Sequence, residues 1–269
     1  MAWDSICLLH LVISNRFPIL LLNLSQMHAG CPMGITAENL AEKYGITRQE
    51  CDEFAIRSQT TWGKAKEAGV FDAEIAPIEV KGRKGPQIVD TDEHPRPETT
   101  VDKIAKLKPV FKKDGVLTAA SASGICDGAG TIILASEQAV KEQNLTPVAR
   151  LSSYHVAGCD PTIMGIGPVP AILGALEHAG ISSVQDADRV EINEAFAAQF
   201  LACAKELDLD MDKTNIHGGA ISLGHPLGAS GSRIVAHLAN EFQRTDAKIH
   251  VGSACIGGGQ GIAVVLESP

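Results

Sequence analysis

The rhythm of apolar positions divides the chain into distinct regions. From Cys51 they recur at helical spacing through Phe54, Ala55, Trp62 and Ala65, and Thr47 followed by Glu50 forms a capping box in front of them. An amphipathic helix is expected there, ended by Gly69, with Trp62 on its core face. Residues 76–117 lose the rhythm and carry prolines at 77, 86, 95, 97 and 109. A long, mostly irregular excursion is expected, of the kind that is often functional. After a short β-rich run at 131–135 the pattern alternates. Residues 148–156, 189–192 and 214–217 read as strands, and 168–179, 194–207 and 230–242 as helices. Two closing strands, 248–254 and 261–266, are joined by a glycine turn. The order βαβαβαββ implies an α/β fold with a mostly parallel sheet, right-handed crossovers and ligand sites beyond the strand ends.

The first thirty residues differ. Two apolar runs, 6–13 and 18–24, are split by Asn15 and Arg16 and show neither period. Neither reaches the roughly 18 residues needed to span a bilayer. Asp4 precedes any Lys or Arg, against a secretory start, and Arg and Ser are sparse for a transit peptide. Three readings stay open: a targeting signal, a buried strand pair, or sequence foreign to the domain, such as a misjoined start.

Composition narrows the class. With 269 residues, 45% of them hydrophobic, the chain can bury one large core or two ordinary ones without help from disulfides or metals. Its 32 acidic against 23 basic residues give a net charge of −9, which excludes general binding to nucleic acid or anionic membrane. Seven widely spread cysteines without a C-x-x-C pair fit neither a disulfide framework nor a zinc site and point to a reducing compartment. One stretch opposes the overall charge: residues 81–113 hold nine Lys or Arg and five Asp or Glu. Beside Val110 and Phe111 such a patch suits a ligand with phosphates and a greasy end; the alternative is a solvated face.

Ten of the 26 glycines fall within 218–231 and 252–261. The first of these stretches has neither G-x-G-x-x-G nor a Walker ending, which leaves His225 in a glycine-walled loop as a general base or hydrogen-bond donor. In the second, Cys255 precedes Gly257, Gly258 and Gly259 at a strand end. That setting suits proton transfer beside an oxyanion hole, inert packing being the alternative. Asn193, before Glu194, Ala195 and Phe196, can cap a helix or hold a water. Cys51, Cys126, Cys159 and Cys203 read as structural.

These three stretches resemble the thiolase family, as do 33–39, 110–115 and 159–168, and the likeness covers about residues 32–268. It implies a thiolase-like layered αβαβα fold of two βαβαβαββ halves plus a loop domain that carries the coenzyme A site. In this chain the resemblance divides as a non-matching lead (1–31), the loop domain (32–125), a remnant of the N-terminal half (126–147) and the C-terminal thiolase domain (148–269). One half is then complete and the other largely missing. The implied activity is acetyl-CoA C-acyltransferase, the cleavage of a 3-oxoacyl-CoA by coenzyme A in fatty-acid β-oxidation. No metal and no permanently bound cofactor is implied; coenzyme A and acyl-CoA thioesters are substrates. The resemblance also implies a homo-oligomer, dimer or tetramer, and a mitochondrial location.

By the same resemblance His225 activates the attacking thiol, Asn193 acts through a bound water, Cys255 moves the α-carbon proton, and Gly257 lends an oxyanion N–H. Coenzyme A would lie against Met33, Arg96, Phe111, Ala119, Ser123, Met164 and Phe196. The family also uses a second cysteine as covalent nucleophile. Nothing around Cys7 or Cys31 resembles its motif, so little or no turnover is expected from this chain alone. Two other readings stand beside this one: a non-catalytic fragment that binds coenzyme A or pairs with a complete subunit, and an acetoacetyl-CoA-specific thiolase.

Overall fold

In the computed structural model the described residues are 29–82 and 85–269, together with the backbone of 6–12. The apolar run at 18–24 lies outside them. The first run contributes strand β1 (Ile6–Val12), whose backbone pairs antiparallel with β4 (Ala129–Ala135). Helix α1 (Met33–Tyr44) follows Pro32 and ends at Gly45 in the left-handed region. Helix α2 (Arg48–Glu67) starts at the expected capping box: Thr47 Oγ1 accepts from Glu50 N, and Glu50 Oε2 accepts from Thr47 N at 2.7 Å. Such a cap is worth about 1 kcal/mol.

The stretch expected to be mostly irregular holds a hairpin, β2 (Ile78–Gly82) and β3 (Gly85–Val89), and a single helical turn, α3 (Val101–Ile104). Pro86 sits inside β3, which a two-stranded ribbon tolerates because each strand has a free edge. After β4 a short helix, α4 (Glu137–Glu142), leads into the C-terminal region.

That region runs β5 (Arg150–Gly158), α5 (Pro168–Ala179), β6 (Arg189–Ile192), α6 (Ala197–Leu207), a single turn α7 (Ala220–Leu223), α8 (Ser230–Arg244), β7 (Ile249–Ile256) and β8 (Gln260–Glu267). The sheet order is β5-β8-β7-β6. Two expectations change here. The sheet is mixed, because the glycine turn folds β8 back antiparallel to β7 and to β5, leaving β6–β7 as the parallel pair. The strand expected at 214–217 is reduced to isolated parallel bridges, Val190 to Thr214 and Ile216 to Gly218. Asn215 at φ 46° breaks the extension, and its side chain binds Ile192 N and O instead.

Helix α5 covers one sheet face, burying Ala171, Ile172, Ala175 and Leu176 in the core that also holds Val251, Ala263 and Val265. On the other face α8 approaches closely because Gly252 has no side chain: a Cβ there would lie 2.9 Å from Ile234 and 3.0 Å from Leu238. The opposite side of α8 packs on β4. Among the described residues the layers therefore run helix, sheet, helix, sheet. No described helix is long and apolar enough to cross a membrane.

Candidate active site

The ends of β6 and β7, the loop before α8 and the start of α1 converge on a chamber of about 700 Å³. Its walls include Met33, Phe111, Ser123, Met164, Phe196, His225, Cys255 and Gly257. Asn193 follows β6, but it is not the cap of α6. Residues 194–196 run on before that helix, whose N-cap is Phe196, and Gln199 Oε1 accepts from Ala195 N and Phe196 N. Asn193 is thus released from a capping role. Its Nδ2 lies 3.4 Å from His225 Nε2, and its buried Oδ1 has no protein partner.

The position of His225 is set by backbone and side chain together. Its N–H donates to Gly124 O at 2.7 Å, and its Nδ1 lies 2.6 Å from Ser230 Oγ in the first turn of α8. An amide nitrogen can only donate, so Nε2 accepts from Asn193 and the ring proton resides on Nδ1. Nδ1–H then donates to Ser230 Oγ, whose hydroxyl reaches Pro226 O at 3.4 Å. Burial, with the positive charge of Arg233 adding to it, lowers the imidazole pKa to about 4. Neutral imidazole, with its Nε2 lone pair turned to Asn193 Nδ2 at 3.4 Å, is therefore the form present at pH 7.

Cys255 lies near the end of β7, and burial pushes its thiol up to about 12. The turn that follows needs glycine at two places, Gly258 and Gly259 at φ 92° and 89°, and at Gly259 a Cβ would also strike the backbone of Cys159 and Pro161. Gly257 faces the methyl end of Met33. Among the described residues Cys255 is the one cysteine lining the chamber. Cys203 is buried and donates to Gly165 O. Cys51 is buried at the start of α2, Cys126 packs on Gly224, and the Cys159 thiol points to Met164 O.

Two predicted residues lie elsewhere. Arg96 and Ala119 line a second recess of about 380 Å³ with Gln59, His94, Thr99, Lys103 and Ile221, and Ala122 lines both spaces. Of the basic excursion the fold gathers Arg96 and Lys103 here. Lys112 instead pairs with Glu42 of α1. Sequence reasoning missed Ser230, Thr99, Lys103, Gln59 and His94. Ser230 had a signal, a hydroxyl five residues after the histidine in the same loop, and Lys103 had one in the basic stretch 81–113; Thr99, Gln59 and His94 meet the site through tertiary packing alone. Among the described residues no group of three or more His, Cys, Asp or Glu could hold a metal ion.

A neutral base and a protonated thiol facing one apolar chamber can serve as proton acceptor and proton donor at the same pH. A family model for the thiolase N-terminal domain matches residues 17–138, and one for the thiolase C-terminal domain matches 145–268. The chain is 60% identical over 246 residues to human mitochondrial 3-ketoacyl-CoA thiolase, a match covering 91% of this chain and 62% of that protein. It is 54% identical over 237 residues to a probable acetyl-CoA acyltransferase of Staphylococcus epidermidis, covering 87% and 59%. The crystal structure of human mitochondrial 3-ketoacyl-CoA thiolase in complex with CoA superposes with a TM-score of 0.91 at 53% identity, over 98% of this chain and 71% of that one. The chain spans about 60% of the length of these curated relatives.

Proposed function

The chain belongs to the thiolase family, and from that premise we propose that it binds acyl-CoA thioesters and carries the acid–base half of an acetyl-CoA C-acyltransferase site. The observation that carries this reading is the convergence of His225 and Cys255 on one chamber, with environments that push their pKa values in opposite directions. In the cleavage of a 3-oxoacyl-CoA the bond between the α-carbon and the 3-carbonyl breaks. Its electron pair stays on the α-carbon of the departing acetyl-CoA, and the Cys255 thiol supplies the proton that carbon needs. In the second half-reaction His225 Nε2 takes the proton of the incoming coenzyme A thiol, which attacks the held acyl group. Asn193 Oδ1 suits a water that donates one hydrogen to it and the other to the thioester oxygen, and Gly257, on the chamber wall, would lend its N–H as an oxyanion donor. The nucleotide end of coenzyme A enters the recess of Arg96, Thr99 and Lys103, and its pantetheine arm passes Ala119 and Ser123 toward Met33, Phe111, Met164 and Phe196.

The reaction also needs an acyl-holding thiol. Because Cys255 is the one described thiol on the chamber wall and is used as acid, this chain alone turns over little or no 3-oxoacyl-CoA. Fatty-acid β-oxidation in mitochondria is the setting this reading favours, from the likeness to the human mitochondrial enzyme. Self-association through the β2–β3 hairpin belongs to the same reading, since Ile78 and Ile88 are 58% and 61% exposed on it. Calorimetry with coenzyme A and intact-mass measurement after incubation with a 3-oxoacyl-CoA test the proposal together. Binding without an adduct is expected. A stable acyl adduct on Cys7 or Cys31 overturns the missing thiol, and the absence of any binding overturns the acyl-CoA site.

A further inference from the structure

We propose that Gln59 and His94 are positioning residues that transmit occupancy of the Arg96 recess to the loop that carries His225. The inference rests on the acyl-CoA reading and deepens it.

Gln59, buried on α2, spans two segments that have no covalent proximity. Its Oε1 accepts from Arg96 N at 2.7 Å, and its Nε2 donates to Ile221 O at 3.3 Å in the single turn of α7. One amide thus holds the backbone of the recess on one side and the glycine-walled loop on the other. Two residues before Arg96, His94 Nδ1 donates to Ser222 O at 2.8 Å. Its ring fills the space a side chain on Gly124 would need. Gly124 O in turn accepts from His225 N at 2.7 Å. Pro95 and Pro97 flank Arg96 and fix their own φ angles, so a displacement at Arg96 reaches His94 through a stiff segment.

A parallel support enters from the core. Glu194, fully buried beside Asn193, accepts from Ser58 Oγ at 2.7 Å, Asn215 Nδ2 at 2.9 Å and Ile221 N at 3.2 Å. Ile221 is therefore held through both its backbone groups, its N–H by Glu194 and its carbonyl by Gln59. The Glu194 contacts stay within the packed interior, whereas Gln59, His94 and Arg96 all line the recess. A ligand in the recess consequently bears on the 219–225 segment through Gln59 and His94, beside its direct contact with the wall at Ile221. The phosphorylated nucleotide end of coenzyme A would orient the catalytic imidazole from a distance, without touching it.

Amide hydrogen exchange of the 218–226 segment in the full chain tests this without requiring turnover. The ligands are coenzyme A and 4′-phosphopantetheine, which lacks the adenosine part that enters the recess. The expected result is greater protection with coenzyme A than with 4′-phosphopantetheine, at saturation by each. In Gln59→Met, which loses both hydrogen bonds, and in Gln59→Glu, which keeps an acceptor for Arg96 N but has no donor for Ile221 O, that excess disappears. Coenzyme A affinity falls about fivefold in the Met variant and less in the Glu variant. Equal protection by the two ligands in the unmodified chain overturns the proposal by itself, whether or not the variants fold. Retention of the excess in both variants also overturns it. Failure of coenzyme A to bind at all instead overturns the acyl-CoA reading and takes this inference with it.

Discussion

His225 has a distinct neighbour at each ring nitrogen, and Ser230 is the closer of the two. That serine lies in the first turn of a 15-residue helix whose far side is packed, so its hydroxyl cannot drift from the ring. Ser230→Ala would leave the Nδ1–H buried without an acceptor, at a cost of about 1–3 kcal/mol. The expected signature is in nitrogen NMR, where the Nδ1-protonated pattern of His225 gives way to a mixture of tautomers. An unchanged pattern would mean that Asn193 alone sets the proton. At this scale His225, Cys255 and Asn193 were legible in the sequence because each stands in or beside a glycine-rich or strand-end context that limits its uses. Gln59 and Thr99 were not, since nothing local to a helix or a polar turn distinguishes a residue that reaches a site from one that faces solvent.

Elements with marked ends were read closely. Helix α5 has Pro168 at its first position and Gly180 at φ 71° after its last, and its observed limits are those the sequence pattern predicts. Helix α1 carries no side-chain cap at its N-terminus, where Pro32 is the sole mark, so the glycine stop at Gly45 alone does not announce it. Apolar alternation at 214–217 predicts a strand but says nothing of a left-handed Asn215, which breaks it. The β2–β3 hairpin is the element least accounted for by its surroundings. A lone two-stranded ribbon is marginal in water, and here Ile78, Val80 and Ile88 are all exposed. Replacing Ile78 and Ile88 with serine is expected to lower the assembly state measured by light scattering while leaving the melting transition of the α/β body in place. Unchanged mass would assign the hairpin to some role other than self-association.

For the whole molecule, acid is the stress that its buried imidazoles resist least. The His225 pKa is lowered from its ordinary 6.5 to about 4, and burial lowers those of His217 and His250 as well. With the folded pKa depressed, the unfolded chain binds the proton more readily. Stability is then fully present above pH 6.5 and declines as the pH falls toward 4. The full slope is about 1.4 kcal/mol per pH unit for each such histidine. Glu191 and Glu194, whose carboxyls burial pushes up, act in the opposite sense. Denaturant melts of the chain and of His225→Gln from pH 7 to 4.5 isolate one contribution: the variant should lose stability less steeply, and parallel curves would show that His225 titrates normally. The layering carries a consequence in time as well. Strand β4 packs on α8, yet about one hundred residues separate them. On a ribosome β4 leaves the exit tunnel many seconds before the helix that covers it, at roughly 5–20 residues per second. Its Ile133 and Leu134 stay exposed even once α8 has docked, so throughout that interval the newly made chain carries an apolar strand on which chaperone capture competes with folding.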